Sequence, residues 1–305
     1  MNWLTRLWPF RRNHTPAPAP ALPSAPPPVA ALAAADDSQT APTTQSHALL
    51  PWLLASAAAT DAPISAAEHQ ALDALDKTLA LPDLPHNLLP RAAALIPQLI
   101  ALVRQTSLPV PEIAERVGKD TVLSAEVMRL ASSAYYKVQG EVRNLEQAIT
   151  LIGLQGLQTV IARVLLKPIY QASPGPLSAR AAPRLWEHSE ALARHTAILA
   201  VPAGQPVFDA YLAGLLHGTG WTVALCALDR GGIRLEMPPS VVFARHMTER
   251  THGLFGLAAQ RWDITPGFTA LARDARHTAM AASTHPLIPV LQWAQQRSMD
   301  ELSPP

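Results

Sequence analysis

The chain has 305 residues, with 24 basic and 23 acidic side chains, so its net charge is +1 when histidine is neutral. This balance gives no sign of the basic surface that nucleic-acid-binding proteins need, and we expect no nucleic-acid partner. Cys226 is the single cysteine, which excludes an intrachain disulfide and a zinc site made of thiolates alone. We therefore expect a cytoplasmic protein.

The first 46 residues predict a disordered arm. Sixteen of the twenty residues from 16 to 35 are proline or alanine. Proline removes amide donors, and alanine offers little side-chain area to offset the entropy of ordering. No stretch of about 18 uncharged apolar residues occurs, so no transmembrane segment is expected. Four apolar residues near basic ones are candidates for weak contact with a membrane surface: Trp3, Leu7, Trp8 and Phe10.

After residue 47, apolar residues recur at helical spacing and strand alternation is absent over any useful length, which predicts an all-α fold. Asp120 and Asn144 are predicted N-caps, and Gly153 is predicted to separate two helices. The predicted helical stretches are, in chain order, 65–79, 88–99, 111–117, 123–134, 145–165 with its glycine interruption, 183–200, 208–227, 239–262 and 266–278.

Proline-rich segments separate the predicted helices into groups. Residues 47–80 are interpreted as a helical lead-in and 81–285 as a two-lobed helical domain. The lobes are predicted as 81–178 and 179–285, because a Ser-Pro-Gly-Pro loop lies at 173–176. Residues 286–305 are left as a C-terminal tail.

Four histidines lie in or at the end of predicted helices: His188, His217, His252 and His277. Imidazoles from several helices can converge inside a bundle and hold a divalent metal, provided that carboxylates accompany them. Carboxylates are scarce in these segments. For any one of these histidines alone, a core or capping role is the simpler interpretation.

The segment from Tyr211 to Trp221 reads Tyr-Leu-Ala-Gly-Leu-Leu-His-Gly-Thr-Gly-Trp. It resembles the Gly-Leu-Leu-His-Asp-Ile-Gly stretch of the HD superfamily of metal-dependent phosphohydrolases, in which the His-Asp pair binds metal. Residues 186–189, Trp-Glu-His-Ser, resemble the helix that carries the first histidine of that family. Residues 251–266 resemble its later His-to-Trp-to-Pro stretch.

Four upstream motifs resemble, in the same order, the signature of the HDOD family, the HD-related output domain. They are Leu-Pro-Asp-Leu-Pro at 81–85, the helix start at 117–124, Leu-Ala-Ser-Ser-Ala-Tyr-Tyr at 130–136 and Ala-Ile-Thr-Leu-Ile-Gly at 148–153. The resemblance implies a degenerate HD-type C-terminal half and a bacterial signalling role exercised through contacts with other proteins.

Gly218 stands where the HD pair has aspartate. Neutral imidazoles cannot replace that negative charge, and a hard divalent cation loses a ligand with it. We therefore expect no catalytic residue, no bound metal and no cofactor. The resemblance leaves His188, His217 and His252 as vestigial metal positions, and His277 lies near the place of a further pair.

Two alternatives stay open. The protein is an enzyme if another carboxylate replaces the missing one, and Asp209, Asp263 and Asp274 are the candidates. It is a sensor if a nucleotide or second messenger binds the vestigial cavity without being cleaved.

Overall fold

The computed structural model describes residues 47–105, 108–133, 142–171 and 175–303. Within these ranges the regular structure is helical and no strand occurs, so the all-α prediction is confirmed. The predicted arm, residues 1–46, lies outside the described residues, and so do the four apolar residues singled out in it: Trp3, Leu7, Trp8 and Phe10.

Twelve α-helices occur in the described ranges. They are α1 (Leu49–Leu53), α2 (Ala66–Leu79), α3 (Ala92–Gln105), α4 (Val110–Gly118), α5 (Thr121–Ala131), α6 (Leu145–Gln171), α7 (Pro176–Ala200), α8 (Val207–His217), α9 (Thr219–Arg230), α10 (Val241–Ala259), α11 (Pro266–His277) and α12 (Leu287–Leu302). A 3₁₀ turn, Met280–Ala282, links the last two.

Local sequence signals place several helix ends correctly. The Asp120 carboxylate accepts hydrogen bonds from the amides of Val122 and Leu123, at 2.8 and 2.9 Å, which confirms the N-cap of α5. Asn144 Oδ1 accepts from the Gln147 amide at 2.8 Å at the start of α6. Gly153, with φ of 67°, interrupts α6 at the predicted break.

Two helix boundaries differ from the prediction. The stretch 208–227 is not one helix, because α8 ends at His217 and α9 begins at Thr219. Helix α7 begins at Pro176, seven residues before the predicted start. The Asp229 carboxylate, far away in sequence, accepts from the amides of Leu177 and Ser178 at 2.9 Å and satisfies this helix end.

The chain forms two compact units. In its described part, the first unit comprises residues 98–165, with Leu99, Val127 and Leu157 in its core. The second comprises residues 47–97 and 166–303. These units cross the boundaries drawn from the sequence, because the lead-in helix α2 packs against α9 and α10.

The second unit also includes the segment that was left as a tail. Residues 287–302 form α12, which packs against α7 and α8. Leu287, Ile288 and Leu291 are buried in this contact. The apolar face of α12 therefore belongs to the core of the second unit.

Glu68, a buried residue of α2, joins the lead-in to α10. Its carboxylate accepts from the Ser65 amide at 2.8 Å, and from the Ser240 amide and hydroxyl at 2.7 and 3.0 Å. One side chain thus satisfies the first turn of α2 and the start of α10. A parallel β-bridge between Thr60 and Ser240 reinforces the same junction.

Two helical stretches, Leu145–Gln171 and Val207–Arg230, are long and apolar enough to cross a membrane by length and composition. Both lie where the sequence predicts helical stretches, and neither was expected to cross a membrane. The second stretch is 94% buried within the protein and is divided at Gly218. A core helix that is buried on all sides is equally apolar.

Gly220 sets the spacing between α9 and α10. A Cβ atom on Gly220 would overlap the Thr251 carbonyl oxygen of α10 and lie 3.0 Å from the Phe255 amide nitrogen. Backbone atoms cannot swing away as a side chain can. The absence of a side chain here therefore lets α10, which carries His252, approach α9 closely.

Gly220→Ala should destabilise the protein by roughly 1–3 kcal/mol in spite of alanine's higher helix propensity, because the two helices must separate. Gly118→Ala is the matched control, since its Cβ would lie 3.8 Å from Leu145, and it should be neutral or slightly stabilising. Urea denaturation of both variants measures the difference. Equal midpoints for Gly220→Ala and the parent protein would contradict the close approach.

Candidate functional site

Three helices bring three histidines together inside the second unit. His188 lies in the middle of α7, His217 is the last residue of α8 and His252 lies in the middle of α10. At most 5% of each side chain is exposed. His217 Nε2 lies 3.1 Å from His252 Nδ1, so that one ring donates a hydrogen bond to the other. We call these three residues the histidine cluster.

Aromatic rings surround the histidine cluster. The His217 ring lies 5.2 Å from the Phe255 ring, and the His188 ring lies 6.5 Å from the Trp52 ring. Neither ring nitrogen of His188 has a hydrogen-bond partner in the described part of the chain, and the same holds for His252 Nε2. The cluster is thus a polar group in an apolar surrounding.

Burial keeps the three imidazoles neutral. Desolvation lowers the pKa of His188 and of His252 to about 4. It lowers the pKa of His217 well below its ordinary value, and repulsion from the charged forms of His252 and His188 lowers it further. At neutral pH the cluster therefore offers nitrogen lone pairs and no net charge.

Gly218, at the aspartate position of the HD pair, has an ordinary helical conformation with φ of −60° and ψ of −15°. Its backbone therefore does not require glycine. A Cβ atom there would overlap the Ser189 hydroxyl oxygen and would lie 3.3 Å from Cε1 of Tyr170. The place where an aspartate side chain would begin is occupied by these two residues.

Tyr170 is held in this place by its own contacts. Its hydroxyl donates a hydrogen bond to the Leu215 carbonyl of α8, and its ring lies 5.5 Å from the Trp186 ring. Burial raises the pKa of the Tyr170 phenol well above its usual range, so the hydroxyl stays a donor. No local sequence signal marks Tyr170, and Ser189 occurs in the motifs only as the neighbour of His188.

The alternative carboxylates do not complete a metal site. The charge of Asp274 opposes only part of the lowering of the His252 pKa by burial, and its carboxylate accepts a hydrogen bond from the Ser283 hydroxyl. Asp209 lies beside Gly267 at the start of α11, and Asp263 is exposed. His277 is exposed at the end of α11. Across the ranges that the structure describes, no group of three or more His, Cys, Asp or Glu side chains is arranged to hold a metal.

The donor set of the histidine cluster does not fit the metal that the HD superfamily implies. A hard divalent cation prefers oxygen ligands and needs negative charge to compensate for its own. The cluster supplies neutral nitrogens, and Ser189 and Tyr170 fill the place of the carboxylate. The geometry holds a hydrogen-bonded pair of imidazoles, His217 and His252, in the core.

Gly218→Asp should destabilise the protein by roughly 3 kcal/mol or more, because the new side chain overlaps Ser189 and buries a charge. In the Gly218→Asp variant, adding Ser189→Ala should recover about 1 kcal/mol or more of the lost stability. In the parent protein, Ser189→Ala alone should destabilise the fold by less than Gly218→Asp does. Urea denaturation of the two single variants and the double variant gives the coupling. Strictly additive effects would show that the two positions do not share one space.

Stability should fall in acid. The histidine cluster is neutral in the folded protein, whereas the unfolded chain takes up protons below the ordinary histidine pKa of about 6.5. Stability should therefore be complete above that pH and decline toward pH 4 by about 1.4 kcal/mol per pH unit for each such histidine. His188→Leu should flatten the decline in urea denaturation between pH 7.5 and 4.5. A pH-independent midpoint across this range would contradict the neutral cluster.

Three comparisons identify related proteins. The sequence model of the HDOD domain matches residues 89–277. An uncharacterized protein of Treponema pallidum (strain Nichols) is 24% identical over 199 residues, which cover 62% of this chain and 36% of that protein. This chain therefore matches about a third of that relative's length.

The chain is also similar to solved structures. The protein named "Putative metal-dependent phosphohydrolase" from Shewanella amazonensis SB2B is 19% identical, with a TM-score of 0.53 over 78% of this chain and 90% of that one. An HDOD domain protein with unknown function from Geobacter sulfurreducens is 20% identical, with a TM-score of 0.49 over 75% of this chain and 78% of that one. At these identities the first likeness shows the fold alone.

The matched region covers more than half of the chain and includes His188, His217, Gly218 and His252. The resemblance that the sequence motifs indicated is confirmed. This protein belongs to the HDOD domain family.

Proposed function

We propose that this HDOD-domain protein is a non-catalytic output or scaffold component of bacterial signal transduction, acting in the cytoplasm through contacts with other proteins. The observation that supports the proposal most directly is the packing of Ser189 and Tyr170 against Gly218. Glycine at this position leaves out the aspartate of the HD pair, and the Ser189 hydroxyl lies where the Cβ atom of that aspartate would be. The domain then retains its helical surface as the part available for recognition.

Hydrolysis of a phosphodiester by this superfamily requires a metal ion that lowers the pKa of a bound water. The histidine cluster lacks the carboxylate that would compensate the charge of such an ion, and within the described residues no group of three or more His, Cys, Asp or Glu side chains is arranged to hold one. The phosphohydrolase named among the structural neighbours shares the fold at 19% identity, which carries no activity to this chain.

The purified full chain should not hydrolyse a generic phosphodiester such as bis(p-nitrophenyl) phosphate above the background rate with Mn²⁺ or Ni²⁺. It should also retain no metal after dialysis, as measured by elemental mass spectrometry. His217→Ala is the matched control and should give the same background rate. Turnover that His217→Ala abolishes would overturn the proposal and support an enzyme.

Affinity capture from the native cell tests the protein-contact part of the proposal. The full chain should co-purify with a defined protein, and reciprocal capture through that partner should return this chain. A version that lacks residues 1–12 shows whether the apolar N-terminal residues contribute to the contact. Recovery of no partner in either direction would count against a scaffold.

A ligand sensor is the second candidate. The unpartnered nitrogens of His188 and the unpartnered hydroxyl of Thr222, all buried within the part of the chain that is described, are groups a small polar ligand would satisfy. A ligand at about 100 times its dissociation constant would stabilise the fold by roughly 2.7 kcal/mol. A thermal-shift screen with nucleotides and cyclic dinucleotides distinguishes the sensor from the scaffold, which predicts no shift.

A further inference from the structure

Helix α1 lies over the histidine cluster on the side of His188. The Trp52 ring is 6.5 Å from the His188 ring. The four leucines on and just after this helix, Leu49, Leu50, Leu53 and Leu54, are each no more than 1% exposed. This short helix, which the sequence interpretation treated only as part of the lead-in, therefore packs into the core of the second unit beside His188.

Two arginines of α7 hold the C-terminal end of α1. Arg184 Nη1 donates to the Trp52 carbonyl at 2.8 Å, and its guanidinium lies 5.8 Å from the Trp52 ring centre. Arg180 Nη2 donates to the Ala55 carbonyl at 3.1 Å. Both bonds place a cation at or just beyond the C-terminal end of α1, which is a favourable position for a positive charge.

The two arginines and His188 occupy one face of α7, because residues 180, 184 and 188 are spaced by four. The face of α7 that carries the buried His188 imidazole thus also carries the two arginines that bond to α1. Helix α1 has five residues and no side-chain N-cap. A helix of this length does not form by itself, so its conformation depends on the packing and on these two hydrogen bonds.

We infer that residues 49–55 are an intramolecular plug that closes the histidine cluster, latched by Arg184 and Arg180. Among the described residues, movement of the plug uncovers the Trp52 side of His188 to solvent or a small ligand. This inference stands on the contacts of α1 and α7 and does not depend on whether the protein is a scaffold, a sensor or an enzyme. It identifies the movement by which a ligand would reach His188 from that side.

The test measures how fast diethyl pyrocarbonate, which reacts with accessible neutral imidazole, modifies His188 in the folded full-length protein. Peptide mass spectrometry locates the modified residue. In the double variant Arg180→Gln/Arg184→Gln the rate at His188 should rise about tenfold or more, because opening no longer breaks two charged hydrogen bonds. Arg230→Gln is the matched control, since Arg230 donates a similar bond to the Asn87 carbonyl at 2.7 Å, away from α1. Its rate at His188 should equal that of the parent protein.

An unchanged His188 rate in a folded double variant would overturn the plug. If the double variant does not fold, a second measurement on the unaltered protein tests whether residues 49–55 act as a plug. Amide hydrogen exchange at residues 54–56, whose amides bond back to α1, should give the same opening free energy as modification of His188 across a urea series. That energy should lie below the free energy of global unfolding. Modification of His188 only through global unfolding would also overturn the plug.

Discussion

Ser189 of α7 meets Gly218 at the junction of α8 and α9, and the packing of this contact determines what the interior of the second unit can hold. The backbone at Gly218 is ordinary right-handed helix, so it would accept any side chain if space allowed. The space belongs to the Ser189 hydroxyl and the Tyr170 ring. The departure from the HD pair therefore involves the packing around Gly218 as well as the missing carboxylate.

The histidine cluster is held by one hydrogen bond between two of its imidazoles and by aromatic packing. His217 and His252 hydrogen-bond each other. Burial desolvates both imidazoles, and this one hydrogen bond offsets part of the free-energy cost of that desolvation. His188 has no such partner in the part of the chain that the structure describes. Burying a neutral imidazole costs less free energy than burying an imidazolium. This difference lowers the pKa values of His188 and His217. The cluster is consequently tolerated at neutral pH and is a source of instability in acid.

Segments from outside the recognised motifs complete the second unit. Glu68 links the lead-in to the start of α10, which carries His252, and Asp229 satisfies the start of α7, which carries His188. Helix α1 covers His188, and α12 packs on α7 and α8. The family match covers residues 89–277, so α1, α2 and α12 lie outside it and still contribute to the core around the cluster. The fold of the site therefore needs more of the chain than the motifs contain.

The sequence by itself determined the all-α class, the family, the N-cap at Asp120 and the break at Gly153, because helical periodicity, capping side chains and glycine act over a few neighbouring residues. It also indicated His188, His217 and His252 through their motifs. Only the tertiary structure decided the early start of α7, the membership of α1 and α12 in the second unit, and the occupation of the aspartate position by Ser189 and Tyr170. Each of these rests on contacts between residues far apart in the chain, such as Asp229 with Leu177, which no local pattern records. Whether a lost ligand leaves a cavity or a filled core depends on which side chains the fold brings against it, and that is a property of packing in three dimensions.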